Sequence, residues 1–339
     1  MPYLQHASSR NGSKLTRYLV GVTLLLAGIG SAYSEGLLIQ GQEGWLFPGW
    51  ENRDRVQPEK IRAVLDSLAV VNRCLKANGT TLIVLVIPTK ALMNEARLPP
   101  SLTPSPAMRG RYAWLQGEMA ARKLHTLDLK TVLQTWESDG DARHITFLRT
   151  DYHWTPQAAE VAARVTAGLI ASTVVFDNAP RGGAALQEVV LVRSYGDLAL
   201  RFMTAEQRVA LKRDVFRVRA PAKEAQLLLD EDPTEVYVVG NSFVQTYLGF
   251  PAMLSHTLNR PVGLHWKPGN FSPWFTLLEY LQSEDFQQIR PKVIVWQLNE
   301  PRMFAGPNEA GEWEATTLMK PADWLHKIMQ AIGPHPCTD

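Results

Sequence analysis

The sequence predicts an α/β protein built on a doubly wound, mostly parallel sheet. Three observations lead there. Between Pro58 and Asn78 the apolar residues recur at helical spacing and stop at Gly79, a natural helix end. The next segment, Leu82-Ile83-Val84-Leu85-Val86-Ile87, is a continuous β-branched and leucine run, the pattern of a strand covered on both faces. The same alternation returns in the second half of the chain, the beat of a sheet wrapped by helices. With 339 residues, 45% hydrophobic and 20% charged, the chain can bury a large core in one or two domains.

In chain order, residues 1–17 are polar and end in Lys14 and Arg17. Tyr18 to Ile29 is almost wholly apolar, and Gly30 to Ser34 are mostly small. That is the order of a secretory signal, and an apolar run shorter than the roughly 20 residues needed to cross a bilayer makes a retained anchor the alternative. The expected division is therefore a signal peptide or signal-anchor over 1–34 and one domain over 35–339, exported to a bacterial periplasm. Helices are predicted at Ala107 to Lys123, Leu129 to Trp136 and Pro156 to Ser172, the last with Thr155 as N-cap and Pro156 at its first position. A short strand falls at His125 to Leu127. Asp177 to Ala220 breaks the rhythm and reads as an irregular surface excursion. Strands then return at Glu235 to Val239, Val262 to Trp266 and Lys292 to Trp296. Helices follow them at Phe243 to Leu258, Pro273 to Gln288 and Pro321 to Ile332.

The formal net charge of +2 is uneven. Arg10, Lys14 and Arg17 lie in a 34-residue stretch with no acidic residue, so the remainder carries 32 of the 35 basic residues against 33 acidic ones. A domain that near to neutral has no broad footprint for nucleic acid. The two cysteines, Cys74 and Cys337, are compatible with one disulfide after export, although Cys74 also reads as a small apolar residue on the helical stripe of Ile61, Leu65, Leu68 and Val71. Neither has sequence neighbours for a zinc site, and no metal is expected.

Two places carry chemistry at a strand-to-loop edge, where open α/β sheets bind ligands. In Val236-Tyr237-Val238-Val239-Gly240-Asn241-Ser242-Phe243 a buried strand feeds a glycine turn and a serine that opens a predicted helix, which would set N–H groups beside the Ser242 hydroxyl. The bland alternative is a plain N-cap. In Asp151-Tyr152-His153-Trp154-Thr155-Pro156 a carboxylate and an imidazole stand two residues apart before a helix. A serine hydroxyl needs such a base, and the base an orienting carboxylate. Capping by Asp151 and packing by His153 is the alternative. His125, His144, His256 and His326 have weaker claims, lying in a short strand, a polar turn and two helices.

Asp-x-His-Trp followed by Thr-Pro and a small-residue helix, with Gly-x-Ser-Phe after a buried strand further on, resembles the alginate O-acetyltransferase family, the AlgJ and AlgX proteins of exopolysaccharide acetylation. Supporting matches are Gly41 to Phe47, Ile87-Pro88-Thr89-Lys90 ending in Leu98-Pro99, Gly196-Asp197-Leu198, and Val295 to Glu300 with Arg302. The resemblance implies an SGNH-hydrolase-like fold with a permuted order of catalytic elements. Ser242 would be the acetyl-accepting nucleophile, His153 the general base and acid, and Asp151 the group that orients His153. Three features depart from the pattern. Asn241 stands where ordinary SGNH esterases have Asp, the tyrosine after Pro-x-Lys is replaced around Ala91 to Met93, and little chain follows Arg302. The closer analogue is therefore the single-domain AlgJ type.

Trp154, Trp266 and Trp274 are expected cleft residues, since flat aromatic faces stack on sugars. Lys90, Arg302 and Lys267 are expected to meet the carboxylates of an anionic polymer. The Ser242 N–H, with Gly269 or Asn270, is the expected oxyanion donor set. No cofactor is expected, and no Gly-rich phosphate loop argues for coenzyme A. The resemblance implies a membrane-bound O-acyltransferase partner that delivers acetyl, other exopolysaccharide biosynthesis proteins, and an acceptor of alginate or a similar polymer. Two competing readings are an acetyl esterase using the same residues and a catalytically silent polysaccharide-binding scaffold.

Overall fold

A computed structural model describes residues 37–51, 56–141, 144–193, 195–212, 214–222 and 234–333. Residues 1–34, expected to be a targeting segment, and Cys337 lie outside them. The first elements are strands β1 (Leu38–Gln40) and β2 (Leu46–Pro48), then helix α1 (Pro58–Ala77), β3 (Thr81–Ile87), α2 (Lys90–Met93), α3 (Pro106–Ala121), β4 (His125–Thr126), α4 (Leu129–Glu137) and α5 (Pro156–Thr173). There follow β5 (Leu186–Arg193), α6 (Asp197–Phe202), α7 (Ala205–Arg208), β6 (Asp214–Pro221), β7 (Val236–Gly240), α8 (Phe250–Leu258), β8 (Val262–Trp266), α9 (Pro273–Gln282), α10 (Glu284–Ile289), β9 (Val293–Asn299) and α11 (Pro321–Ile332).

Five strands form one sheet in the order β4-β3-β9-β7-β8, and every pairing in it is parallel. Because side chains alternate across a strand, each central strand feeds both faces. Leu82, Val84 and Val86 of β3 join the cluster under α1, α3, α9 and α11, while Ile83, Leu85 and Ile87 join the one under α4, α5 and α8. Tyr237 and Val239 of β7 lie with the first set, Val236 and Val238 with the second. Strands buried on both faces need helices on both faces, so the doubly wound prediction holds. The last strand among the described residues, β9, occupies the middle. The carboxyl ends of β3, β9 and β7 consequently lie side by side, and Glu300, just past β9, accepts from the Thr89 N–H and hydroxyl just past β3, each at 2.8 Å.

Three expectations are corrected. The excursion at 177–220 contains an antiparallel ribbon, β5 with β6, in register from Leu186↔Pro221 to Arg193↔Asp214. Its apolar positions run together in Val189-Val190-Leu191-Val192 rather than alternating, which hid the strand. The helix expected from Phe243 begins only at Phe250, because Gln245 is extended and Gly249 takes φ 83°, a left-handed conformation that stops one turn before the next starts. The helix expected over Pro273 to Gln288 breaks at Ser283, whose hydroxyl caps α10. Cys74 lies buried in the α1 stripe as its spacing predicts, and it is disulfide-bonded, the alternative that the sequence left open.

Candidate active site

The loop before α5 is closed by its own backbone. Phe147 and Trp154 form an antiparallel bridge, the Leu148 N–H donates to the His153 carbonyl (3.1 Å), and the Thr155 N–H to the Thr146 carbonyl (2.7 Å). Thr155 also caps α5, accepting from the Ala158 N–H. These bonds turn Asp151 and His153 to the same side. Asp151 Oδ1 accepts from the His153 N–H at 3.1 Å and lies 2.8 Å from His153 Nδ1. Its other oxygen accepts from the Asp197 N–H at 3.2 Å, at the start of α6. That approach requires glycine at 196, where an added Cβ would sit 2.5 Å from Asp151 Cβ and from the Thr150 carbonyl oxygen.

Ser242 comes to the same place from β7. Its Oγ is 2.8 Å from His153 Nε2, and the residue is 8% exposed, so the hydroxyl stands at a nearly closed surface. The two loops are tied together by Trp154, whose indole N–H donates to the Phe243 carbonyl at 2.9 Å. Asn241 braces the turn: its N–H donates to Gln297 Oε1 (3.0 Å), its side-chain amide donates to Asn299 Oδ1 (2.6 Å), and its Oδ1 accepts from the Phe243 N–H (3.0 Å). The His153 ring contacts Tyr152 and Phe243, with centroids at 4.1 and 4.9 Å. Burial first, then the nearby Asp197 and Asp151 carboxylates, push the Tyr152 phenol up to about 12, against a hydrogen bond with Ser242 that lowers it.

Of the residues singled out in the sequence, the structure brings Asp151, His153 and Ser242 into one hydrogen-bonded series. Gly269 stands opposite, where an added Cβ would lie 3.9 Å from Ser242 Oγ, and its carbonyl accepts from Arg302 Nη1 at 2.7 Å. Arg302 also lies over the Trp313 ring, 4.8 Å from its centroid. Asn270 is exposed and directs its side-chain amide to Glu314. Lys267 pairs with Glu279 at 2.9 Å, and Trp266 is half-buried against the core.

Three assignments are overturned by burial. Lys90 is fully buried, its Nζ among backbone carbonyls, and reaches no polymer. Trp154 is fully buried against Phe250, a core and bridging residue rather than a sugar platform. Trp274 lies in the core with its indole N–H on the Ala305 carbonyl. The α-helix expected to start at Ser242 is also replaced by a 3-10 turn over Ser242–Val244, whose Phe243 and Val244 N–H groups are taken by Asn241 Oδ1 and O. A helix dipole at Ser242 is thus not available for an oxyanion.

Sequence reasoning passed over Tyr152, Gln297, Asn299 and Asp197 as site residues. Asp197, Gln297 and Asn299 carry a signal, since they fall in the matching segments Gly196-Asp197-Leu198 and Val295 to Glu300, and the Asp197 carboxylate lies 3.8 Å from His153 Nδ1. The ligand-type atoms of Asp151, His153 and Asp197 all lie within 4.8 Å of one another, the one such cluster among the described residues. His153 Nδ1 is already engaged by Asp151. An imidazole held between a carboxylate and a serine hydroxyl can take the hydroxyl proton and return it to a leaving group.

The parallel sheet, with Ser242 after β7 and the Asp151 to His153 loop ahead of it in the chain, has the SGNH-hydrolase-like architecture. The family model for the SGNH hydrolase-like domain of the acetyltransferase AlgX matches residues 38–300, and the chain belongs to that family. A probable alginate O-acetylase AlgJ of Pseudomonas fluorescens is 26% identical over 304 residues, 87% of this chain and 73% of that protein. The alginate biosynthesis protein AlgX of Pseudomonas aeruginosa is 23% identical over 290 residues, 77% of this chain and 55% of its own length. Among solved structures, the O-acetyltransferase domain of Pseudomonas putida AlgJ superposes with a TM-score of 0.69 at 23% identity, covering 87% of this chain and 99% of that one. Pseudomonas aeruginosa AlgX gives 0.61 at 19%, covering 82% and 68%. Both likenesses are of fold.

Proposed function

We propose that the chain is an exported O-acetyltransferase that acetylates hydroxyls of an exopolysaccharide, alginate or a polymer like it, through an acetyl-serine intermediate. The observation that carries this is His153 at 2.8 Å from both Asp151 Oδ1 and Ser242 Oγ. In the first half-reaction Ser242 Oγ attacks the acetyl carbonyl carbon of a donor ester while His153 Nε2 takes the hydroxyl proton. The oxyanion faces the Ser242 N–H and the Gly269 side of the site. Collapse expels the donor alkoxide, which takes the proton from His153. In the second, a sugar hydroxyl gives its proton to His153 and attacks the acetyl-serine, and Ser242 leaves with that proton. Asp151 holds the ring in the tautomer both steps use.

The names of the relatives support alginate as the acceptor and other biosynthesis proteins as companions. A membrane-bound O-acyltransferase supplying acetyl, a periplasmic location, and a division into a targeting segment over 1–34 and a catalytic domain over 35–339 belong to the same proposal. The location and the division rest on the charged-then-apolar order of the first 34 residues, and the acetyl-donor partner rests on the family resemblance alone. The test is mass spectrometry of the protein treated with a small acetyl ester, with acetyl transfer to an oligosaccharide and acetate release measured in parallel. An acetyl group on the Ser242 peptide and transfer to the sugar are expected. Ser242→Ala and His153→Ala should each lose about four orders of magnitude in turnover. Near-normal turnover in both would overturn both enzyme readings built on Ser242 and His153, and acetate release without transfer would leave the esterase.

A further inference from the structure

Lys90, displaced from its expected place in the cleft, is coordinated in an unusual way. Its Nζ lies 2.6 Å from the Leu46 carbonyl oxygen, 2.7 Å from those of Leu148 and Asp151, and 3.0 Å from that of Arg149. An ammonium has three hydrogens, so four carbonyls at this range surround a charge rather than complete a donor set. Trp45 and Phe47 close the cage, each ring centroid 5.2 Å from the nitrogen. The Lys90 N–H is in turn held by Glu51 Oε2 at 3.2 Å. An enclosed ammonium is costly unless dipoles replace its water, and here they come from three residues of the four-residue segment 148–151. Carbonyls of neighbouring residues repel when they converge, and a strand would point them to alternate sides. The cation inside the turn makes that convergence stable.

The same turn ends in Asp151, whose carboxylate is 2.8 Å from His153 Nδ1. We propose that Lys90 is a positioning residue: its ammonium serves as a built-in cation around which 148–151 folds, setting the direction of Asp151 and through it of His153. The inference rests on Ser242 and His153 acting as proposed above, but it concerns a side chain that touches neither substrate nor reacting atoms.

The test compares the full-length protein with Lys90→Met, which keeps length and removes charge, and Lys90→Arg, which keeps charge but spreads it over a fork too wide to gather four carbonyls. Turnover of a small acetyl ester, the rate of Ser242 labelling by a sulfonyl fluoride, and amide exchange over 148–153 are measured on protein whose circular dichroism is native. Folded Lys90→Met should lose about 10²-fold in kcat, the cost of a small misplacement, with labelling slowed alike. KM should move by less than about threefold. Exchange over 148–151 should quicken, and Lys90→Arg should fall between the two. A role in stability alone would lower Tm while leaving kcat per labelled site unchanged, and a folded Lys90→Met with kcat within about threefold of wild type overturns the inference. If Lys90→Met does not fold, Lys90→Arg decides by the same kcat criterion. Ser242→Ala is run alongside: its full activity would overturn the proposed chemistry, whereas an inactive Ser242→Ala beside an unimpaired Lys90→Met rejects only the role of Lys90.

Discussion

At the scale of single residues, burial decides what each side chain does more than its type. Glu51 is nearly inaccessible, and desolvation raises its pKa to about 8 against the pull of Lys90 and of the Lys90 N–H, with Glu300 pushing it further up and Arg302 drawing it down. A carboxyl with a raised folded pKa binds its proton more tightly when folded, so it stabilises at low pH. That contribution is full below the ordinary carboxylate range and is lost as pH rises to about 8. Glu51→Gln, which can still accept from Lys90, should therefore flatten the fall of Tm between pH 5 and pH 8, roughly the span of the shifted titration, and raise Tm at the upper end. Thermal melts of both proteins across that range check it, and parallel curves would count against a protonated Glu51. The reactive types Asp151, His153 and Ser242 were visible in the sequence because their order and neighbours are unusual. Lys90 and Trp154 were misplaced because nothing in a residue's type tells whether a cation or an indole faces water or a cage of carbonyls.

At the scale of elements, the site is the meeting of two loops rather than the tip of one helix. Trp154 joins them through the Phe243 carbonyl, and Asn241 fastens the serine turn to Gln297 and Asn299 of β9. Trp154→Phe should strand that carbonyl in the core and leave a void beside Phe250, costing about 2 kcal/mol of stability. It should also lower kcat at little changed KM, since Ser242 and His153 lose a shared tether. Denaturant unfolding and ester kinetics on one preparation separate the two effects. The regular elements were largely legible because β-branched runs and helical stripes report burial on two faces. The serine turn and the β5–β6 ribbon were not. Gly249 overrides local helix propensity by a backbone angle, and the ribbon pairs residues 21 apart in sequence at Arg193 and Asp214 and 35 apart at Leu186 and Pro221, with α6 and α7 between its strands, a separation no local pattern encodes.

At the scale of the whole molecule, both faces of the sheet are committed to packing, and its carboxyl edge is where the candidate site opens. Outside the first 34 residues the charges nearly balance, so a polyanionic acceptor would be held by a few local cations such as Arg302. KM for an acidic oligosaccharide should then rise by no more than about tenfold between low and high salt. A rise of several orders of magnitude would indicate a long basic track instead.

The position of β9 has a consequence for how the molecule is assembled. Its partners β3 and β7 pair with it from both sides, Thr81 against Val293 and Val236 against the same Val293. A chain emerging amino-terminus first therefore carries two unsatisfied strand edges until its final stretch is delivered. Closure is a long-range event, slow by loop entropy and open to wrong partners meanwhile. Gln297 and Asn299, which brace the serine turn, arrive only with that insertion, which makes reactivity a report on nearly completed folding.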